Sequence, residues 1–175
     1  LAHKRKKKQS AVDEVEEHSL SLTLALLRFT KPENLKRVLN KFVELNMVKT
    51  ERLVELYLKY AERLAQLDSG LRREGYNLEN EETKEELYPR RMEGGLFILQ
   101  LICHILLFLC NQEDAKGQCG NTVCTIKERV LKLFHMHKKN GPVSHIDLIK
   151  TIILDYDKEK GEQEAQELVE LANKF

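Results

Sequence analysis

The chain has 175 residues, of which 42% are hydrophobic and 33% charged, with three Pro, eight Gly and no Trp. This length fits one domain with a real hydrophobic core, and the scarcity of helix breakers reads as a soluble, globular, helix-rich chain. The net charge of +1 hides an asymmetry. His3-Lys4-Arg5-Lys6-Lys7-Lys8 carries five of the 29 basic residues and no acid, and removing those five leaves 24 basic against 28 acidic residues. A mildly acidic body argues against nucleic-acid binding by the folded part.

The basic run opens the chain. Lys4, Arg5, Lys6, Lys7 and Lys8 make a candidate nuclear-import signal, with a solvated linker over residues 1–10 as the equal alternative. Leu1 stands where a whole protein would begin with Met, so the chain reads as a piece of a longer one. Residues 12–29 follow as a first helix with two apolar flanks, Val15, Leu22, Leu26 and Phe29 on one and Leu20, Leu24 and Leu27 on the other. Coverage that wide predicts neighbours on two sides. Thr30-Lys31-Pro32-Glu33 has the spacing of a capping box with Pro near the helix start. Leu35, Val38, Leu39, Phe42 and Val43 then give an amphipathic second helix.

Thr50 is the expected cap of a third helix, whose stripe runs through Leu53, Leu56, Tyr57, Tyr60, Leu64, Leu67 and Leu71. Asp68-Ser69-Gly70 is a point where it bends or ends, and Gly75-Tyr76-Asn77 a firmer stop. A fourth helix opens at Asn80 or Glu81 and runs to Cys110, with a kink expected at residues 85–88 because Pro89 lies inside it. Gly94-Gly95 suits a close helix crossing. From Leu96 to Cys110 only Gln100 and His104 are polar, and they lie four apart on one face. The run is shorter than the roughly 20 apolar residues a bilayer span needs, so a buried core helix is expected.

Residues 111–124 read as a mobile, dispensable loop. Its Cys119 and Cys124 offer, with His104 or His135, a zinc site on paper, but no second Cys or His pair has matching spacing and no metal is expected. All four cysteines, Cys103 and Cys110 included, are read as free thiols of a reducing compartment. Thr125-Ile126-Lys127-Glu128 is a second capping box, starting a fifth helix that Asn140-Gly141-Pro142 stops. Ser144 starts a sixth, with Ile146, Ile149, Ile153 and Tyr156 inward. Glu162–Asn173 is a seventh, using Ala165, Leu168, Val169 and Ala172. No run alternates with period two, so no strand is expected. About seven helices with short connections make an all-α bundle or a stacked α-solenoid, and the pattern alone does not choose.

No Gly-rich phosphate loop, His-Glu-x-x-His, Cys-x-x-Cys or nucleophile elbow is present, so neither catalysis nor a cofactor is expected. His18 and His104 read as satisfied polar residues of the core or its rim.

Several blocks then carry a resemblance. They are His3 to Lys8, Glu16-Glu17-His18, Leu26-Leu27-Arg28, Arg37 to Phe42, Arg52 to Tyr60, Leu87 to Cys103, and the ending Leu171-Ala172-Asn173-Lys174-Phe175. In these blocks, which span nearly the whole chain, it resembles the C-terminal part of the beta-catenin-like family of armadillo-type proteins. Departures are Pro89, the Gly- and Cys-containing loop 111–124, and Asp157–Glu164. The resemblance implies an armadillo/HEAT-like α-solenoid end, divided into a basic linker at 1–10 and a helical armadillo-like domain at 11–175. It also implies a nuclear, non-catalytic scaffold whose protein partners are components of the spliceosomal nineteen complex. Some family members are linked to an antibody-diversifying cytidine deaminase.

Three expectations follow for surfaces. A first helix with two apolar flanks predicts self-association through Leu20, Leu22, Leu24 or Leu27. The acids Glu51, Glu55 and Glu62 of the third helix, or Glu81, Glu82, Glu85 and Glu86 of the fourth, are candidate docking faces for a basic partner segment, with Tyr57 or Tyr60 beside the first set. The plainer alternative is that these acids only form surface ion pairs with Lys59, Arg63, Arg90 and Arg91. The competing function is a membrane-associated helical protein anchored through residues 94–110; an enzyme using His and Glu side chains of a bundle is the third.

Overall fold

The computed structural model describes residues 2–137 and 144–157. The seventh helix, the Asn140-Gly141-Pro142 stop and the blocks beyond residue 157 lie outside them. Among the described residues there are six helices and one hairpin: α1 (Ala2–Phe29), α2 (Pro32–Arg73), α3 (Glu81–Glu93), α4 (Leu96–Cys110), β1 (Lys116–Cys119), β2 (Thr122–Thr125), α5 (Ile126–Met136) and α6 (His145–Asp157). The mostly helical fold is the one expected, and the hairpin corrects the reading without strands.

The apolar run lies at the centre. Thirteen of the 15 residues of α4 are buried, all but Phe97 and Phe108, and α1, α2, α3, α5 and α6 each pack on it. A helix apolar all round has no face to give to water, so its neighbours must cover it on every side. Among the described residues no single helix is long and apolar enough to cross a bilayer. The burial of residues 96–110 on every side is that of the expected core helix.

The junction before α4 differs from expectation. Pro89 stays inside α3, and the bend of 85° falls instead between α3 and α4, at the two glycines. Gly95 has φ +105° and its N–H donates to the Met92 carbonyl 3.0 Å away, closing α3 in the manner of a glycine C-cap. Its own carbonyl accepts from Leu99 at 3.1 Å, so the same residue opens α4. Of the two openings expected, Glu81 starts α3 and Asn80 caps it, its side chain accepting from the N–H groups of Glu82 and Thr83.

Helix α2 takes in what the sequence divides into two. Thr30 makes no cap; Lys31 holds that position without a side-chain bond, and Pro32 stands at the first turn. The break inside α2 falls at Glu44–Met47, where Leu45, Asn46 and Met47 all adopt left-handed backbone at φ 52°, 57° and 63°. Such backbone costs an L-residue about 1–2 kcal/mol, so the surroundings must hold it. Thr50, far from capping a new helix, is buried and donates across the break to the Phe42 carbonyl at 2.8 Å. Lys41 and Lys49 converge on Glu44 at 3.3 and 3.0 Å and hold its carboxyl below the usual range. Met47 is fully buried. Past the break α2 runs through Gly70 to Arg73, and Gly75 at φ +98° stops it.

Residues 116–125 form the hairpin, with Lys116 opposite Thr125 and Cys119 opposite Thr122. Gly120 at φ +67° occupies the first central position of the two-residue turn, the place of glycine in a II′ turn. The hairpin packs on α2 at the break. A Cβ on Gly117 would stand 2.4 Å from the Val43 carbonyl oxygen, which is why a glycine lies there. Cys119 and Cys124 are joined as a disulfide, a correction to the reading of four free thiols. Cys103 and Cys110 are free and buried; burial pushes both thiols up, that of Cys110 to about 12.

The remaining caps follow the sequence. Thr125 and Glu128 form the reciprocal capping box of α5, and Ser144 accepts from the N–H of Asp147 at 3.1 Å to start α6. The rings of Tyr57, Phe134 and His145 meet in tilted and edge-to-face contacts with centroids 4.9–5.6 Å apart, joining α2, α5 and α6.

Candidate interaction surfaces

Helix α1 meets the rest of the fold through one flank. Leu20 and Leu27 are buried against the core and Leu24 packs beside them. Nearer its start, Tyr60 donates a bifurcated hydroxyl bond to Asp13 at 2.9 Å and Glu16 at 2.7 Å. Lys59 reaches Glu16 at 2.6 Å and Arg63 reaches Asp13 at 2.5 Å. Burial first, then the two carboxylates it faces, pushes the Tyr60 phenol up, so it remains a donor. Tyr60→Phe leaves two half-buried carboxylates with fewer donors and is expected to destabilise the fold by about 1–2 kcal/mol, read as a shift in the urea midpoint at unchanged m-value.

The other flank is open. Val12 (41% exposed), Val15 (65%), Leu22 (63%), Leu26 (45%) and Phe29 (82%) fall within one stripe of the helix at its 3.6-residue period. Both flanks of the sequence reading exist, and the fold shows which one faces out. The self-association expectation is corrected in its residues: Leu20 and Leu27 are core, Leu24 is half-buried, and of the four only Leu22 is exposed.

The acidic docking face changes more. Tyr57 and Tyr60 are fully buried, and the Tyr57 hydroxyl donates to the His145 carbonyl at 3.2 Å, so neither ring offers a surface. Glu51 is engaged by Arg129 and Glu55 by Arg52 at 2.9 Å; Glu62 is exposed. The basic residues named as surface partners pair elsewhere, Arg91 with Asp68 at 3.1 Å and Arg90 with Glu74 at 3.2 Å. Glu82, Glu85 and Glu86 of α3 are exposed.

A cleft of about 480 Å³ opens between α2, α3, α4 and α6, floored by Leu64, Leu96, Leu148 and Ile152. Gln100 lines it at 1% exposure, and its Oε1 has no hydrogen-bond partner. The sequence marks Gln100 as polar within an apolar run, but the cleft is made by elements far apart in the chain. Among the described residues no group of three or more His, Cys, Asp and Glu side chains is placed to hold a metal.

A mostly helical body wrapped around a central helix, with one open apolar helix face, is the class of fold these elements define. The chain belongs to the family described as Catenin-beta-like, Arm-motif containing nuclear, whose model matches residues 1–140. It is 32% identical to human Beta-catenin-like protein 1 over 95% of this chain and 28% of that protein. To the mouse Beta-catenin-like protein 1 it is 31% identical over 98% of this chain and 29% of that protein. The chain thus spans a little under a third of the length of these relatives.

Proposed function

We propose that this chain is a non-catalytic protein-interaction module of a nuclear Arm-motif scaffold acting in pre-mRNA splicing, with components of the spliceosomal nineteen complex as partners. The observation that carries the interaction role is the open stripe of α1. Five apolar side chains held in register along one helix face are what a stacked helical repeat uses to bury its neighbour. The family description supports the nuclear, Arm-motif part, and the splicing part rests on the resemblance. In this reading Lys4, Arg5, Lys6, Lys7 and Lys8 supply the import signal, which fusion of residues 1–10 to a cytosolic reporter decides. A basic partner segment on α2 is confined to the neighbourhood of Glu55 and Glu62.

Two substitutions on the stripe, Leu22→Asp and Phe29→Asp, test the module without touching the buried flank. In the protein carrying this chain, the double variant is expected to keep its thermal midpoint within a few degrees and to lose recovery of nineteen-complex proteins from nuclear extract. Undiminished recovery removes α1 as the docking face. Absence of splicing proteins from the unaltered protein's eluate removes the splicing assignment.

A further inference from the structure

Three sulfur atoms converge where the hairpin meets the break in α2. The Cys119 Sγ lies 3.5 Å and the Cys124 Sγ 3.9 Å from the Sδ of Met47. The hairpin register explains the convergence. Gly117, Cys119, Thr122 and Cys124 alternate onto one face of the two strands, so both cysteines and Gly117 look toward α2. Gly117 leaves space for the Met47 methyl, since a Cβ there would stand 3.1 Å from the Met47 Cε. The left-handed backbone of Leu45, Asn46 and Met47 fixes the third sulfur from the other side, and Met47 is fully buried.

We propose that, once the disulfide is reduced, Cys119, Cys124 and Met47 form a three-sulfur site for a soft monovalent cation, copper(I) in the cell. At a metal–sulfur bond of about 2.3 Å, three sulfurs around one ion in a plane stand about 4 Å apart. The two edges from the Met47 sulfur, 3.5 and 3.9 Å, already lie within about half an ångström of that length. Only the Cys119–Cys124 edge must open, and reduction opens it. The step balances: a dithiol gives two electrons and two protons to the S–S bond, leaving two Cys thiols and the oxidised, cyclic disulfide of the reductant. Copper(I) then displaces the two thiol protons, and Met47 contributes a sulfur lone pair without losing anything. The donor set decides the class of metal. Two thiolates and a thioether are soft ligands that favour copper(I), whereas structural zinc wants four N or S ligands and no further candidate is grouped here among the described residues. The site was invisible in the sequence because its third ligand lies 72 residues away from Cys119 and looks like an ordinary core methionine.

The test uses the whole chain, reduced with a dithiol, freed of it without oxygen, and titrated with copper(I) against a chromophoric copper(I) chelator. One equivalent is expected to be held, and X-ray absorption at the copper edge is expected to show a sulfur-only shell of three. The near-isosteric Met47→Leu is expected to reduce affinity about tenfold or more and to lower the shell to two sulfurs. Cys119→Ser with Cys124→Ser is expected to release the metal, although Cys103 and Cys110 remain. Copper retained by the double serine variant, or a two-sulfur shell in the unaltered protein, overturns the proposal. The second of those outcomes needs no variant to fold.

Discussion

Replacing Gly95 by alanine is expected to lower stability by about 3–4 kcal/mol. Two costs add. The residue has φ +105°, a conformation from which a Cβ is nearly excluded, at about 1–3 kcal/mol. The new Cβ would also stand 2.7 Å from the Cδ1 of Tyr60. That ring cannot step aside easily, because its hydroxyl is tied to Asp13 and Glu16 and Lys59 lies over its face at 4.7 Å. The α3–α4 corner, the α2 tyrosine and the start of α1 are therefore one connected piece, and the substitution strains all three. The check is a pair of urea titrations. Gly70→Ala, a helical position with open space around its Cβ, is expected to be neutral or slightly stabilising. A loss at Gly95 no larger than 1 kcal/mol would mean that the corner adapts.

Much of the helical fold was legible. Apolar spacing placed the helices, the Thr125–Glu128 box was read from residue type, and the run from Leu96 to Cys110 identified the core helix by composition. The misses share a cause. Glu44-Leu45-Asn46-Met47 continues the apolar period and contains three good helix formers, so nothing local announces the left-handed turn there. It exists because Thr50 bridges it, Lys41 and Lys49 hold Glu44, and the hairpin packs on it. The hairpin was missed because its strands have four residues each, too few for alternation to register, although Gly120-Asn121 between two short runs is a turn signal with a mechanism. Pro89 carried more weight than it deserved beside two adjacent glycines. Among the surfaces, the two flanks of α1 were legible and their division into buried and open was not. Tyr57 and Tyr60 sit on the same helical stripe as Leu53 and Leu64, which are also core, so their period already pointed inward. Reading them as contact area set that period aside.

Leu106→Ala is the second large effect. Leu106 is fully buried in the helix on which all the other described helices pack, so no single neighbour can close the space left by three lost carbon atoms. Leucine-to-alanine changes at such sites cost about 3–5 kcal/mol, the upper part arising where the surroundings collapse least. For a chain of this size each kcal/mol moves the thermal midpoint by about 2–4 °C, so a fall of roughly 10 °C is expected in a melting curve followed by circular dichroism. Phe108, two residues further along the same helix and only half-buried, supplies the contrast: Phe108→Leu keeps an apolar side chain against the rim and is expected to shift the midpoint by less than about half as much. A span seated in lipid would not rank the two sites this way, because its lipid-facing residues lose little on truncation. If Leu106→Ala and Phe108→Leu melt together, α4 is not enclosed on all sides and the central place given to it fails.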